Sequence, residues 1–108
     1  MPSFTRVEVQ FLNQCYQIYA EDGYRLPKGV RRISRECQDT ILASAMNKLT
    51  NVLQMEPLDK QEATLLLCAV RYVSETCQIV ENGFDLIDLY NKLSLLAGSD
   101  KLLQHPQQ

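Results

Sequence analysis

The stretch "DKQEATLLLCAV", residues 59–70, decides the fold class of this 108-residue chain. Asp59 and Glu62 have the spacing of a helix capping box, in which each side chain accepts a hydrogen bond from a free backbone N–H of the first turn. Between Leu65 and Val70 the helix that follows is apolar on all sides. We therefore predict a central, buried helix from about Lys60 to Asn82.

A second capping box marks the beginning of the first helix. Thr5 and Glu8 have the T-x-x-E spacing, and Asp22-Gly23 is a helix stop because glycine adopts the left-handed conformation without strain. Between them, apolar residues recur at steps of three and four, as one face of a helix requires. These residues are Val7, Phe11, Cys15, Ile18 and Tyr19.

Cap residues predict two further helices. Ser34 is the predicted N-cap of a second helix that continues to about Gln54. Asp85 is the predicted N-cap of a fourth helix over Leu86–Ala97, which Gly98 ends. No segment combines strict alternation with the β-branched residues and turn chemistry of a hairpin.

These elements predict an all-α protein. The short connections at 55–58 and 82–84 make neighbouring helices antiparallel, so a four-helix up-and-down antiparallel bundle is the simplest architecture. An irregular four- or five-helix domain is the alternative. We expect residues 1–98 to form a single helical domain and the polar segment 99–108 to be a flexible C-terminal tail.

The apolar arcs of the predicted helices are wider than the stripe of a little over 100° that one core requires. At 100° per residue, the arc of the first helix covers about 200° and that of the second about 180°. Such excess predicts burial against another chain, and a two-fold homodimer is the commonest form. Alternatively, the same residues cover the edge of a monomeric core. The predicted oligomer interface contains Leu12, Tyr16, Tyr19, Met46, Ile87 and Leu95.

A basic stretch, "GYRLPKGVRRISRE" at 23–36, stands out in a chain of net charge −2. Residues 24–35 carry +5 and the remainder carries −7. The charges could form weak, solvated pairs with Glu21, Asp22, Glu36 and Asp39. They could instead dock an acidic protein, because the arginine fork suits carboxylates. The partner-binding residues predicted on that reading are Tyr24, Arg25, Lys28, Arg31, Arg32 and Arg35.

Nucleic-acid binding is a third possibility for the basic stretch. Its arginines could contact phosphates while Arg35 and Gln38 direct the start of the second helix towards base edges. The sequence pI near 5.3 argues against this reading, because nucleic-acid-binding domains are usually basic.

No motif predicts an enzyme, a cofactor or a metal site. The single histidine, His105, lies in the predicted tail, where nothing would hold a catalytic group in place. Cysteines 15, 37, 68 and 77 lack zinc-site spacing, and we expect them to be buried free thiols. The paired carboxylates lie at predicted helix ends, where capping explains them. No nucleotide-binding or hydrolase motif occurs.

The amino-acid composition indicates the cellular compartment in which the protein is expected. The longest apolar run has six residues, whereas a membrane span needs about 20, so we expect no membrane partner. The first residues do not resemble a secretory signal, and reduced cysteines fit a cytoplasmic protein. We therefore expect a small non-enzymatic adaptor, regulatory subunit or assembly factor that acts through protein contacts as a homodimer. An accessory nucleic-acid-binding or transcription-modulating protein is the alternative.

Overall fold

The computed structural model describes residues 4–26, 32–51, 56–77 and 83–98. The chain is an all-α four-helix bundle, which confirms the predicted fold class. The helices are α1 (Arg6–Glu21), α2 (Arg35–Thr50), α3 (Lys60–Thr76) and α4 (Leu86–Ala97). All four begin directly after the predicted cap residues, and each cap side chain accepts from a backbone N–H of the first turn.

Two helices end earlier than predicted. α2 ends at Thr50, because Asn51 leaves the helix with φ −92° and ψ 87°, so the predicted end near Gln54 is wrong. α3 ends at Thr76, because Cys77 is extended with ψ 153°, so the predicted continuation to Asn82 is also wrong. Apolar periodicity alone therefore overestimates the length of both helices. Residues 52–55 and 78–82, and the predicted tail 99–108, lie outside the described residues.

α3 occupies the centre of the bundle, as its apolar run predicts. It contacts each of the other three helices, and α1 also contacts α2. All residues from 62 to 70 are buried. The end of α1 lies beside the start of α2, where Tyr19 donates to Gln38, and the end of α2 lies beside the start of α3, where Lys48 pairs with Glu62. The first three helices therefore follow an up-and-down order.

Most of the wide apolar arc of α1 is buried in the core of the chain. Leu12, Tyr19 and Met46, which we predicted at an oligomer interface, are buried in the core at 0%, 0% and 6% exposure. A residue enclosed by its own chain offers no surface to a second copy, so these three positions are corrected from interface to core. All three therefore belong to the core of the chain itself.

The cysteines divide into two groups. Cys15 and Cys68 are buried, as predicted, and burial raises the pKa of the Cys15 thiol to about 12. Cys37 and Cys77 are exposed, so the prediction of burial is wrong for them. Cys37 lies in the first turn of α2, and Cys77 is the residue at which α3 ends. Among the described helices, none combines the length and the apolar character that crossing a membrane requires.

Candidate functional site

A surface rich in tyrosine and arginine forms where α1 ends and α2 begins. The chain leaves α1 through two residues with positive φ, Gly23 at 94° and Tyr24 at 57°. The left-handed conformation is uncommon for a residue with a side chain as large as that of tyrosine. A hydrogen bond of 2.9 Å from the Tyr24 N–H to the Tyr19 carbonyl closes the turn. The turn directs the Tyr24 ring back towards α2.

Asp39, on the first half of α2, accepts hydrogen bonds from two tyrosines. The hydroxyl of Tyr16 lies 2.5 Å and that of Tyr24 lies 2.6 Å from the same Asp39 oxygen. These bonds, first from Tyr16 and then from Tyr24, lower the pKa of the Asp39 carboxyl. Burial and the bond to Asp39 raise the pKa of Tyr24 to about 12. At neutral pH, both tyrosines are therefore neutral donors to an ionised carboxylate.

A second aspartate, Asp22, also accepts a hydrogen bond from a tyrosine hydroxyl. The hydroxyl of Tyr72, on α3, donates to the Asp22 carboxylate, and Arg25 Nε donates to the Asp22 carbonyl at 3.3 Å. Tyr19 lies between the two groups, with ring centroids 5.7 Å from Tyr24 and 5.8 Å from Tyr72, both edge-to-face. The hydrogen bonds to Asp39 and these two ring contacts thus connect four tyrosines across α1, α2 and α3. They are Tyr16, Tyr19, Tyr24 and Tyr72.

Three arginines lie around these rings, and all three are exposed. A Cβ built at Gly23 would lie 3.8 Å from the Arg35 guanidinium, so that side chain reaches back over the turn. Within the described part of the chain, none of Arg25, Arg32 and Arg35 is within ion-pair distance of a carboxylate. We call this surface the Tyr–Arg end. It consists of Tyr16, Tyr24, Arg25, Arg32, Arg35 and Tyr72.

The described geometry does not fit the reading in which the arginines simply pair with nearby carboxylates. Two of the four carboxylates named for that reading, Asp22 and Asp39, accept hydrogen bonds from tyrosine hydroxyls instead. Of the predicted partner-binding residues, the structure brings together Tyr24, Arg25, Arg32 and Arg35. Residues 28 and 31 are also in that prediction, and they lie outside the described residues.

Gln38 is not directed towards a partner. Its side chain is 1% exposed and makes hydrogen bonds inside the chain, which contradicts the role of reading base edges that the nucleic-acid hypothesis assigned to it. Sequence reasoning also missed Tyr72 as a member of the Tyr–Arg end, and it named Asp39 only as a possible partner of the basic charges, not as the acceptor for two tyrosines. The signal for Asp39 is weak, because an aspartate in a helix usually indicates only a solvated face.

The other three residues of the predicted oligomer interface are Tyr16, Ile87 and Leu95, and they do not form one surface with buried Leu12, Tyr19 and Met46. Ile87 and Leu95 are exposed, at 72% and 74%, on the outer side of α4. Tyr16 is partly buried and belongs to the Tyr–Arg end through Asp39. The structure therefore separates the Tyr–Arg end from two exposed apolar side chains on α4.

Comparisons with known protein families, with curated proteins and with solved structures each gave no match. In the part of the chain that the structure describes, no group of three or more His, Cys, Asp or Glu side chains could hold a metal ion.

Proposed function

We propose that this chain is a small non-enzymatic interaction protein that binds a partner protein through the Tyr–Arg end. One observation carries the proposal: Asp22 and Asp39 accept from tyrosine hydroxyls, while Arg25, Arg32 and Arg35 have no described carboxylate within ion-pair distance. An arginine without an internal carboxylate can form a bidentate pair with a carboxylate of another protein.

The composition and rigidity of the surface support this proposal. Tyrosine and arginine are the residues most enriched at protein-binding hot spots. The hydroxyls of Tyr16, Tyr24 and Tyr72 are already bound, so these rings lose little freedom when a partner covers them. Residues held in uncommon backbone conformations also cluster at functional sites, and Tyr24 has such a conformation.

A protein partner fits this surface better than nucleic acid does. Two carboxylates, Asp22 and Asp39, lie among the arginines and would repel phosphates. A protein surface can present carboxylates to the arginines and donors to the aspartates at the same time, as complementary interfaces do. The sequence pI near 5.3 agrees with this preference. We therefore propose a partner that presents carboxylates to Arg25, Arg32 and Arg35.

We also propose a homodimer and a cytoplasmic location. Within the described residues, the exposed apolar side chains of Ile87 and Leu95 lie eight positions apart on α4, which places them about 80° apart around the helix and about 12 Å apart along its axis. Covering them would remove apolar area from water, which favours association. The four free cysteines suit a reducing compartment.

Charge reversal tests the proposed partner-binding function. The wild-type protein and the double variant Arg25→Glu/Arg32→Glu are immobilised and exposed to lysate of the source cells. The matched control, Arg6→Glu/Lys60→Glu, makes the same charge change at exposed positions that begin α1 and α3, at the opposite end of the bundle. We expect the wild type and the control to retain the same proteins and the Arg25/Arg32 variant to lose them. Equal retention by all three would refute the proposal.

Two solution measurements test the proposed homodimer and the nucleic-acid alternative. Light scattering of a homodimer gives twice the chain mass of 12.4 kDa, and Ile87→Glu/Leu95→Glu should return the mass to that of one chain. A wild-type mass of one chain at micromolar concentration would refute the dimer. Binding to mixed-sequence DNA at low salt, with a steep loss as salt rises, would favour the nucleic-acid alternative instead.

A further inference from the structure

The buried carboxamide of Gln38 joins the two segments that carry the arginines of the Tyr–Arg end. Its Nε2 donates to the Ile33 carbonyl at 2.9 Å and to the Tyr24 carbonyl at 3.4 Å. Tyr24 directly precedes Arg25, and Ile33 directly follows Arg32. One side chain of α2 therefore holds the backbone beside both arginines.

The orientation of this carboxamide follows from its neighbours. Two carbonyl groups can only accept, so the amide nitrogen must face them and the amide oxygen must face away. The oxygen accepts from the Tyr19 hydroxyl at 2.7 Å. Tyr19 is itself fully buried, and its ring contacts the ring of Tyr24. All of the polar atoms of the Gln38 side chain are therefore used, and turning the amide over would place its oxygen against two carbonyl oxygens and break both of those hydrogen bonds.

We propose that Gln38 is the positioning residue of the Tyr–Arg end, fixing Arg25 and Arg32 relative to each other so that they can engage a partner together. The inference rests on the proposed partner-binding function. A buried amide that bonds both flanking segments limits their relative movement, and binding then costs less ordering entropy. Glutamine suits the position because it supplies two N–H donors and one acceptor without a charge.

The variant Gln38→Met tests this inference. Methionine has a similar length and fits an apolar interior, so the bundle should still fold, but it offers no donor to the Tyr24 and Ile33 carbonyls. A second variant, Gln38→Glu, keeps the acceptor for Tyr19 and offers the two carbonyls one O–H donor at most, and only when the carboxyl is protonated. Gln14→Met, at an exposed position of α1, is the matched control. Leu66→Ala is a second control that destabilises the core away from the site.

Two readouts are measured for each variant. The first is hydrogen exchange of the Tyr24 amide, which bonds to the Tyr19 carbonyl. We expect about tenfold faster exchange in both Gln38 variants, with the wild-type rate in Gln14→Met. The second is retention of the lysate proteins that the wild type retains and Arg25→Glu/Arg32→Glu loses. We expect the Gln38 variants to lose these proteins although both arginines are present, and both controls to retain them.

The two readouts separate failure of this inference from failure of the proposed function. Unchanged Tyr24 exchange in the Gln38 variants would refute the positioning role, whatever the arginine variants do. Faster exchange with unchanged retention would also refute it, because the fixed geometry would then not matter for recognition. If charge reversal has no effect on retention, the proposed function fails, and the positioning role that rests on it fails with it.

Discussion

Replacing Glu62 by alanine should be among the most destabilising changes of a charged residue in this bundle. The Glu62 side chain is 4% exposed and accepts three hydrogen bonds. The donors are Ser44 Oγ at 2.7 Å, Lys48 Nζ at 2.8 Å and the Asp59 N–H at 2.9 Å. One carboxylate thus connects α2 to α3 and completes the cap of α3.

The magnitude follows from the number and environment of these bonds. Hydrogen bonds to a charged group contribute about 1.5–3 kcal/mol each, and loss of a capping interaction costs about 1 kcal/mol. The three bonds share one carboxylate, and Lys48 is 20% exposed and can reach water, so the values do not add. We expect Glu62→Ala to lower the free energy of unfolding by about 2–4 kcal/mol, from a total of about 5–15 kcal/mol for a typical domain.

The matched control is Glu75→Ala, on the same helix. Glu75 pairs with Arg71 at 3.3 Å, but these side chains are 60% and 37% exposed. Exposed pairs of this spacing contribute about 0.3–0.5 kcal/mol. Urea unfolding followed by circular dichroism measures both losses at neutral pH. If the two variants lose equal stability, or Glu62→Ala stays within about 0.5 kcal/mol of the wild type, the buried network does not stabilise the fold as we argue.

The same carboxylate makes stability depend on pH. Burial raises the pKa of Glu62, but the bonds from Lys48, Asp59 and Ser44 lower it by more, so the pKa lies below its ordinary value of 4.5. A group with a lowered pKa in the folded state stabilises above the ordinary pKa, and this contribution disappears as pH falls through the folded pKa. The stability difference between wild type and Glu62→Ala should therefore be largest near neutral pH and should shrink on acidification below about pH 4.5.

Two further substitutions test other parts of the structure. Asp39→Asn should lower the pKa of Tyr24 from about 12 part of the way towards 10, because the carboxylate is removed while burial remains. A residue-resolved NMR titration of the tyrosine rings measures this pKa, and an unchanged value would contradict the Asp39 contact. Leu66→Ala, at a fully buried position of α3, should lower the free energy of unfolding by about 2–5 kcal/mol, whereas Gln61→Ala, at an exposed position of the same helix, should change it by no more than about 0.5 kcal/mol. Urea unfolding measures both losses, and similar values would contradict the burial of α3.

The beginnings of the helices were predictable because capping is local. Thr5 with Glu8 and Asp59 with Glu62 satisfy N–H groups within three residues, and both boxes form as predicted. The end of α2 was not predictable from periodicity, because the apolar spacing continues past Thr50 while the backbone changes direction at Asn51. An apolar pattern describes which side chains need burial and carries no information about whether the chain buries them as helix or as a turn.

The residues of the candidate surface could not be identified from the sequence, because its contacts join different helices. The arc of α1 is wide because α1 packs against both α2 and α3, so Leu12 and Tyr19 need no second chain. The Asp39 contacts span 15 and 23 positions, to Tyr24 and Tyr16. A sequence therefore predicts that arginines lie near carboxylates but not which donors occupy those carboxylates. Here tyrosine hydroxyls bond to Asp22 and Asp39, and within the described residues Arg25, Arg32 and Arg35 lie outside ion-pair distance of a carboxylate, which is why we propose that these arginines bind a partner.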